Sequence, residues 1–185
     1  MLRSLLAGAM VFASPVPSQQ PMDWVQYPGI VRVDCTEGKG TAVQVGENHY
    51  LSVAHVTALN NCAVNGFPIH VTEQAGSLDF SQFDALGGRH LKLKISCEGF
   101  KAGQWYWATG FAHGAPFQTG IALYATYAKA EDGKRILIGP YNVIPGQSGG
   151  AIFDRDGAVV GMVNAYMPGS PISLSRELKD TSLCR

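Results

Sequence analysis

Short apolar runs separated by turn residues recur along most of the chain. Most are four to eight residues long and rich in Val, Ile, Tyr and Trp, and some alternate, as from Gly40 to Val45. This period of two predicts the strands of an all-β barrel or sandwich. Helical periodicity is clear only from Leu174 to Leu183, where a short C-terminal helix is expected. The predicted strands lie in GIVRVDC, GTAVQVG, HYLSVAHV, FPIHVTE, LKLKISC, WYWATGF, IALYATYA, RILIGPY, GGAIFD and GAVVGMVNAY.

The composition agrees with an all-β chain and argues against some classes of binding partner. The 22 glycines and 10 prolines imply many turns. A length of 185 residues suits one domain or two small lobes, and the loop-like stretch from Gly110 to Gly120 is the expected division between lobes. The chain has 14 basic residues (Lys plus Arg) and 14 acidic residues (Asp plus Glu), so its formal net charge is zero. It therefore lacks the excess of positive charge that would indicate binding to nucleic acid or to an anionic membrane surface.

The first 18 residues have the pattern of a short secretory signal. One arginine precedes an apolar run from Leu5 to Ala13, and small residues and prolines follow up to Ser18. The alternative is a disordered or hydrophobic N-terminal extension. The run is too short to span a bilayer, and no later run reaches that length. If the signal interpretation holds, the protein is secreted or periplasmic and its compartment is oxidising, which favours disulfides.

The four cysteines do not indicate a metal or redox site. They stand at positions 35, 62, 97 and 184, and no two of them have CxxC spacing, so a zinc or thioredoxin-type site is not expected. Three pairings are open.

Ser148 lies in the sequence G-Q-S-G-G, which fits the nucleophile motif of two hydrolase folds or a glycine-rich turn without a catalytic role. The nucleophile elbow of α/β-hydrolases needs a helix after the serine and a histidine later in the chain. The sequence after Gly150 predicts a β-hairpin instead, with a turn at Asp156-Gly157. All five histidines precede Ser148. The order histidine, aspartate, serine remains, which is that of the double-barrel serine proteases.

Five segments carry a family resemblance: GKGTAVQV, LSVAHV, DFSQF, KAGQWYWATGF and IPGQSGGAIFDRDGAVVGMVNA. Over about residues 28–167 the chain resembles the trypsin-like (chymotrypsin-fold) serine proteases, in the style of the short HtrA-like bacterial and viral members. The resemblance implies two six-stranded antiparallel Greek-key β-barrels in a protease domain over 19–185, the first over about 28–110 and the second over about 118–170. It implies a serine endopeptidase that works through an acyl-enzyme, with no cofactor and no metal.

The resemblance also assigns the reacting groups. Ser148 would be the nucleophile and His55, at the end of an apolar strand, its base. The backbone N–H groups of Gly146 and Ser148 would hold the oxyanion. Two acids compete to orient His55. Asp79 fits the family pattern of Asp, large apolar residue, small residue, whereas Asp84 leads straight into two glycines that would end a strand.

A substrate peptide is expected to add to the sheet as an extended strand. The predicted binding residues are Asn142, Val163, Asn164, Ala165 and Tyr166, with the stretch from Tyr141 to Ile144 bordering a pocket for a small or apolar P1 side chain. Gln147 stands where larger digestive members carry an activating Asp, so the site is expected to be preformed or controlled in another way. The resemblance implies a Cys35–Cys62 disulfide, with free thiols as the alternative. An inactive peptide-binding module of the same fold is the alternative function.

Overall fold

The computed structural model describes residues 27–89, 91, 93–116, 118–129, 133–139 and 142–185, without the side chains of 127–129. The predicted signal segment and Tyr141 lie outside the described residues. No helix within these ranges is long and apolar enough to cross a membrane.

The first lobe is a seven-stranded antiparallel sheet. Its strands are β1 (Ile30–Asp34), β2 (Lys39–Gly46), β3 (His49–Ser52), β4 (Ala63–Val64), β5 (Phe67–Pro68), β6 (His70–Ala75) and β7 (Phe80–Asp84). They pair in the order β5-β4-β1-β2-β3-β7-β6, and a one-turn helix, α1 (Ala54–Thr57), comes after β3. The resemblance implied a six-stranded barrel here, whereas the sheet keeps β5 and β6 as edges.

The second lobe is a closed six-stranded barrel. Its strands are β8 (Trp105–Gly110), β9 (Thr119–Lys129), β10 (Arg135–Ile138), β11 (Ala151–Phe153), β12 (Val159–Tyr166) and β13 (Ile172–Glu177). They pair in the order β10-β13-β12-β11-β8-β9. The barrel starts at Trp105, in the range that the sequence assigned to the first lobe, and ends at Glu177, beyond the predicted end near 170. The 3₁₀ helix Ala112–Gly114, in the stretch expected to divide the lobes, lies between two strands of this barrel.

The helix predicted from Leu174 to Leu183 is wrong over its first half. Residues Ile172–Glu177 form β13, which pairs with both β10 and β12. Two 3₁₀ helices follow, Leu178–Asp180 and Ser182–Cys184. The alternation from Ile172 to Ser175 has the period of a strand, and two neighbouring strands satisfy its backbone groups. Otherwise the all-β class is confirmed.

An apolar core joins the two lobes. One cluster of buried side chains combines Leu51 and Phe80 of the first sheet with Phe153 and Met162 of the barrel. Burial of this shared surface holds the sheets together. Two disulfides add covalent ties. The implied Cys35–Cys62 bridge is present within the first lobe, and Cys97–Cys184 joins the segment between the lobes to the C-terminal 3₁₀ helix.

Candidate active site

His55 and Asp79 meet because of the pairing between two strands. His55 is the second residue of α1, which is separated from the end of β3 by one residue, and Asp79 directly precedes β7. Strand β3 pairs with β7 with Ser52 opposite Ser81, so the end of one strand lies beside the start of the other. Asp79 has a φ of +49°, a left-handed conformation that aspartate tolerates better than most residues.

The Asp79 carboxylate accepts three hydrogen bonds. Its Oδ1 accepts from the backbone N–H of His55 at 2.9 Å. Its Oδ2 faces His55 Nδ1 at 2.9 Å and also accepts from Asn164 Nδ2. An ionised carboxylate only accepts, so Nδ1 carries the imidazole proton and Nε2 is left as the basic nitrogen. Burial acts to raise the pKa of Asp79, but the hydrogen bonds from His55 and Asn164 outweigh it, and the pKa lies below its usual value.

The competing acid lies elsewhere. Asp84 Oδ1 faces His49 Nδ1 at 2.7 Å at the far end of the same strand pair. Its side chain is half exposed. The structure therefore places Asp79, and not Asp84, beside His55.

The backbone N–H groups of the loop around Ser148 differ in whether they are hydrogen-bonded. Gln147 N donates to Ile144 O at 3.1 Å and Gly150 N donates to Gln147 O at 2.8 Å. Gly149 N donates to Val163 O at 2.8 Å. The N–H groups of Gly146 and Ser148 find no acceptor among the residues that the structure describes. These are the two donors that the sequence predicted for an oxyanion.

The carbonyl groups of the same loop are held by residues outside it. The Pro145 carbonyl accepts from His113 N at 2.6 Å, and the Ser148 carbonyl accepts from Thr41 N at 2.8 Å. The Gly146 carbonyl accepts from Thr41 Oγ1 at 2.7 Å. In a trans peptide the N–H points away from the preceding carbonyl, so anchoring the Pro145 carbonyl directs the N–H of Gly146.

Glycine is required at position 146. Its φ is +93°, and a Cβ there would lie 2.4 Å from the Phe111 carbonyl oxygen. The loop from Phe111 to Gly114 packs directly on this residue, and any side chain would push it away.

Asn164 links the serine to the aspartate. The Ser148 hydroxyl donates to the Asn164 carbonyl at 3.3 Å, while the Asn164 side chain bonds Asp79. Within the described residues no hydrogen bond joins Ser148 Oγ to His55. The register of β12 against β13 shifts between Val163 and Ala165, which places Asn164 at the irregularity. Its side chain, predicted to border the substrate, is buried behind Asp79.

Gln147 is also buried, with 1% of its surface exposed. Its Oε1 accepts from the backbone N–H of Ile144 at 2.8 Å, and its Nε2 donates to Thr119 Oγ1 at 2.8 Å. Both polar atoms of the neutral amide thus have hydrogen-bond partners within the chain. No charged partner is needed to fix this position.

The other predicted substrate residues lie at one end of the barrel. Val163 is buried, Ala165 is half-buried and Tyr166 is 39% exposed. On one side, β12 pairs with β13 as far as Tyr166. On the other side its ladder with β11 ends at Met162, and Val163 still bonds the backbone of Gly149 and Gly150. Among the described residues the edge of β12 is therefore open only beyond Val163. Asn142 donates through Nδ2 to the Met167 carbonyl at 3.1 Å, which brings it to the same end.

Sequence reasoning missed Thr41 and His113. Thr41 lies inside GKGTAVQV, a segment used only for the resemblance, and contacts Gly146 across 105 positions of sequence. His113 adopts a left-handed conformation with φ +49°. Its contribution is a backbone N–H, for which residue type gives no signal.

Comparison with known proteins identifies the fold. No protein-family model matches the chain, and no curated protein matches it. Among solved structures, the active form of the Rv3671c protease from M. tuberculosis is 20% identical, with a TM-score of 0.73, covering 96% of this chain and 89% of that one. The HtrA-type protease AlgW with a tripeptide is 20% identical, with a TM-score of 0.70, over 82% of this chain and 57% of that one. A serine endoprotease from Yersinia pestis is 16% identical, with a TM-score of 0.65, over 81% and 58%. The chain has the trypsin-like, chymotrypsin fold.

Proposed function

We propose that this chain of trypsin-like fold is a serine endopeptidase that uses Ser148, His55 and Asp79. The observation that carries the proposal is a pair of N–H groups, at Gly146 and Ser148, with no acceptor in the part of the chain that the structure describes; the residue between them has its own N–H bonded. Gly146 and Ser148 are half-buried, so their N–H groups can be reached by a bound substrate. Two such donors beside the attacking serine are what an oxyanion requires.

The chemistry follows from the geometry. Asp79 holds the proton of His55 on Nδ1, so Nε2 can take the proton of the Ser148 hydroxyl as its oxygen attacks a peptide carbonyl. The carbonyl oxygen becomes negative and accepts from Gly146 N and Ser148 N. His55 then gives its proton to the leaving amine, and an acyl-enzyme remains on Ser148 until water, deprotonated by His55, hydrolyses it.

One movement is required before attack. The Ser148 hydroxyl bonds the Asn164 carbonyl, and rotation about its Cα–Cβ bond has to turn it toward His55. Such hydrogen bonds are often loose without substrate and tighten when it binds. A peptide that adds to the open edge at Ala165 and Tyr166 would approach the same carbonyl, which would release the hydroxyl.

The substrate is proposed to be an extended peptide or protein segment. The open edge of β12 offers main-chain hydrogen bonds, and exposed Tyr166 with Met167 offers apolar contact at its end, which agrees with a small or apolar P1 residue. The HtrA-type protease AlgW was solved with a tripeptide, which supports a peptide as the ligand proposed here. The two disulfides support a secreted or periplasmic location.

Labelling with a fluorophosphonate probe tests the activity. We expect Ser148 of the wild type to be modified, Ser148→Ala to remain unlabelled, and His55→Ala to label far more slowly. Folding of both variants is checked by circular dichroism. A folded wild type that neither labels nor cleaves a casein or peptide-library substrate would show that the proposal is wrong.

A second candidate function is peptide binding without cleavage. The observation in its favour is the bond of Ser148 Oγ to Asn164 rather than to His55. Retention of an intact peptide by the folded, unlabelled wild type, measured by calorimetry and mass spectrometry, would support this alternative.

A further inference from the structure

We propose that the side chain of Thr41, in the first lobe, is a positioning residue that keeps the oxyanion-binding loop of the second lobe in its working conformation. This inference rests on the proposed function. It assigns to the hydroxyl of one buried threonine a part in the chemistry that neither the sequence pattern nor the comparisons indicate.

Thr41 lies in β2 and has none of its surface exposed. Its Oγ1 donates to the Gly146 carbonyl at 2.7 Å and accepts from the Phe111 backbone N–H at 3.0 Å. The hydroxyl therefore uses both its donor and its acceptor capacity on backbone of the second lobe. No water is required to complete these bonds.

The backbone of Thr41 reaches the same loop and the strand of the base. Its N–H donates to the Ser148 carbonyl at 2.8 Å, and its carbonyl accepts from Ser52 Oγ at 2.7 Å. Ser52 ends β3, three positions before His55. One residue thus connects the strand that leads to the base with both ends of the Gly146–Ser148 tripeptide.

The Gly146 carbonyl is the group whose anchoring matters. The N–H groups of Gly146 and Ser148 belong to the peptides on either side of it, and their directions follow the Pro145 and Gln147 carbonyls. The peptide from Gly146 to Gln147 joins those two peptides, so its displacement would shift the positions of both donors. The Ser148 and Pro145 carbonyls are held by backbone N–H groups, which no substitution of a side chain removes. The Gly146 carbonyl is held by the Thr41 hydroxyl, so this anchor depends on residue type.

The space around the hydroxyl leaves little room for an alternative. A Cβ added at Gly110 would lie 3.0 Å from Thr41 Oγ1, and one at Gly149 would lie 2.1 Å from the Thr41 carbonyl oxygen. The glycines let the loops approach Thr41 closely enough for the bonds to form. A valine at 41 keeps the shape of threonine but leaves the Gly146 carbonyl and Phe111 N–H without partners.

The test compares Thr41→Val with Thr41→Ser, which keeps the hydroxyl. With a peptide amide substrate, we expect Thr41→Val to lower kcat by about 10²-fold, the effect of misplacing a reacting group by about 1 Å. KM should stay close to the wild-type value, because the substrate edge of β12 is untouched. Thr41→Ser should restore most of kcat, and Thr41→Cys, with its weak S–H donor, should fall between them.

Thr181→Val is the matched control. Thr181 is equally buried, and its Oγ1 donates to the Leu178 carbonyl at 2.6 Å, in the C-terminal segment. It should lower the melting temperature as Thr41→Val does but leave kcat unchanged. Equal kcat in Thr41→Val and Thr181→Val would overturn the proposal, as would a failure of Thr41→Ser to restore activity in a folded protein.

Hydrogen–deuterium exchange gives a measurement that does not depend on catalytic activity. Exchange in residues 144–150 should quicken in Thr41→Val and match the wild type in Thr41→Ser. If the wild type is inactive, the proposed function fails while this measurement still decides the role of Thr41. Unchanged exchange in Thr41→Val would refute that role whatever the activity. Should Thr41→Val not fold, the same comparison is made with Thr41→Cys.

Discussion

Asp79→Asn gives the sharpest test of how His55 is oriented. Three donors converge on the two carboxylate oxygens of Asp79: the backbone N–H of His55, its Nδ1–H and Asn164 Nδ2. An asparagine has one oxygen to offer them. If its amide NH₂ takes the Oδ2 position, His55 can bond it only with Nδ1 as acceptor, which moves the imidazole proton to Nε2. That tautomer cannot accept the proton of Ser148.

The opposite orientation of the substituted amide is also costly. It preserves the bond to Nδ1 but presents the NH₂ to the backbone N–H of His55, so that hydrogen bond is lost, at a cost of about 0.5–1.5 kcal/mol. The expected outcome is a loss of about 10⁴ in kcat at neutral pH, as for the same change in a serine-protease triad. This factor corresponds to about 5.4 kcal/mol of activation free energy.

Peptide hydrolysis by wild type, Asp79→Asn and Asp84→Asn provides the measurement. Asp84 bonds the partly exposed His49, so its variant should keep wild-type turnover and serves as the control for removing one charge from β7 or its flank. Turnover in Asp79→Asn within tenfold of the wild type, or a larger loss in Asp84→Asn, would refute the reasoning about His55.

Two further predictions concern pH. Gln147→Glu puts a carboxyl group in a site that is 1% exposed, and burial raises the pKa of such a group in the folded state. The variant should therefore lose stability relative to the wild type as the pH rises above about 4.3, the pKa of an unperturbed glutamate. The loss should be about 1.4 kcal/mol for each unit by which the pKa is raised. Melting curves at pH 4 and 7.5 check this, and an equal melting-temperature deficit at both would contradict it. Burial acts to lower the pKa of His49, but its bonds to Asp84 and Gln82 outweigh it and the pKa is raised. The advantage of the wild type over His49→Gln should therefore be full below about pH 6.5 and decline at higher pH, staying below about 1 kcal/mol because the pair is partly exposed; denaturant titrations that show an advantage growing with pH would rule it out.

The sequence predicted features that depend on local pattern. Strand β2 follows from alternation, and the resemblance of short segments to a known family implied that Asp79 orients His55. Residues 174–177 were predicted incorrectly because a short apolar pattern fits helix or strand, and pairing with two neighbouring strands decides between them.

Other features depend on contacts between distant segments. The burial of Asn164 follows from a register shift between β12 and β13, and local residue types do not encode the pairing of two strands. The contact of Thr41 with Gly146 forms across the two lobes. The contribution of His113 is a backbone N–H, which every residue except proline could supply.

The Cys97–Cys184 bridge changes how the molecule carries mechanical load. It makes a covalent ring that contains the whole second barrel. Tension applied between residue 27 and Arg185 passes from Cys97 through the sulfur atoms to Cys184 and bypasses the barrel. The ring spans 87 positions, so about 300 Å of chain stays unavailable for extension while the bridge is oxidised. The first sheet, with His55 and Asp79, bears the pull, and the barrel with Ser148 is shielded from it.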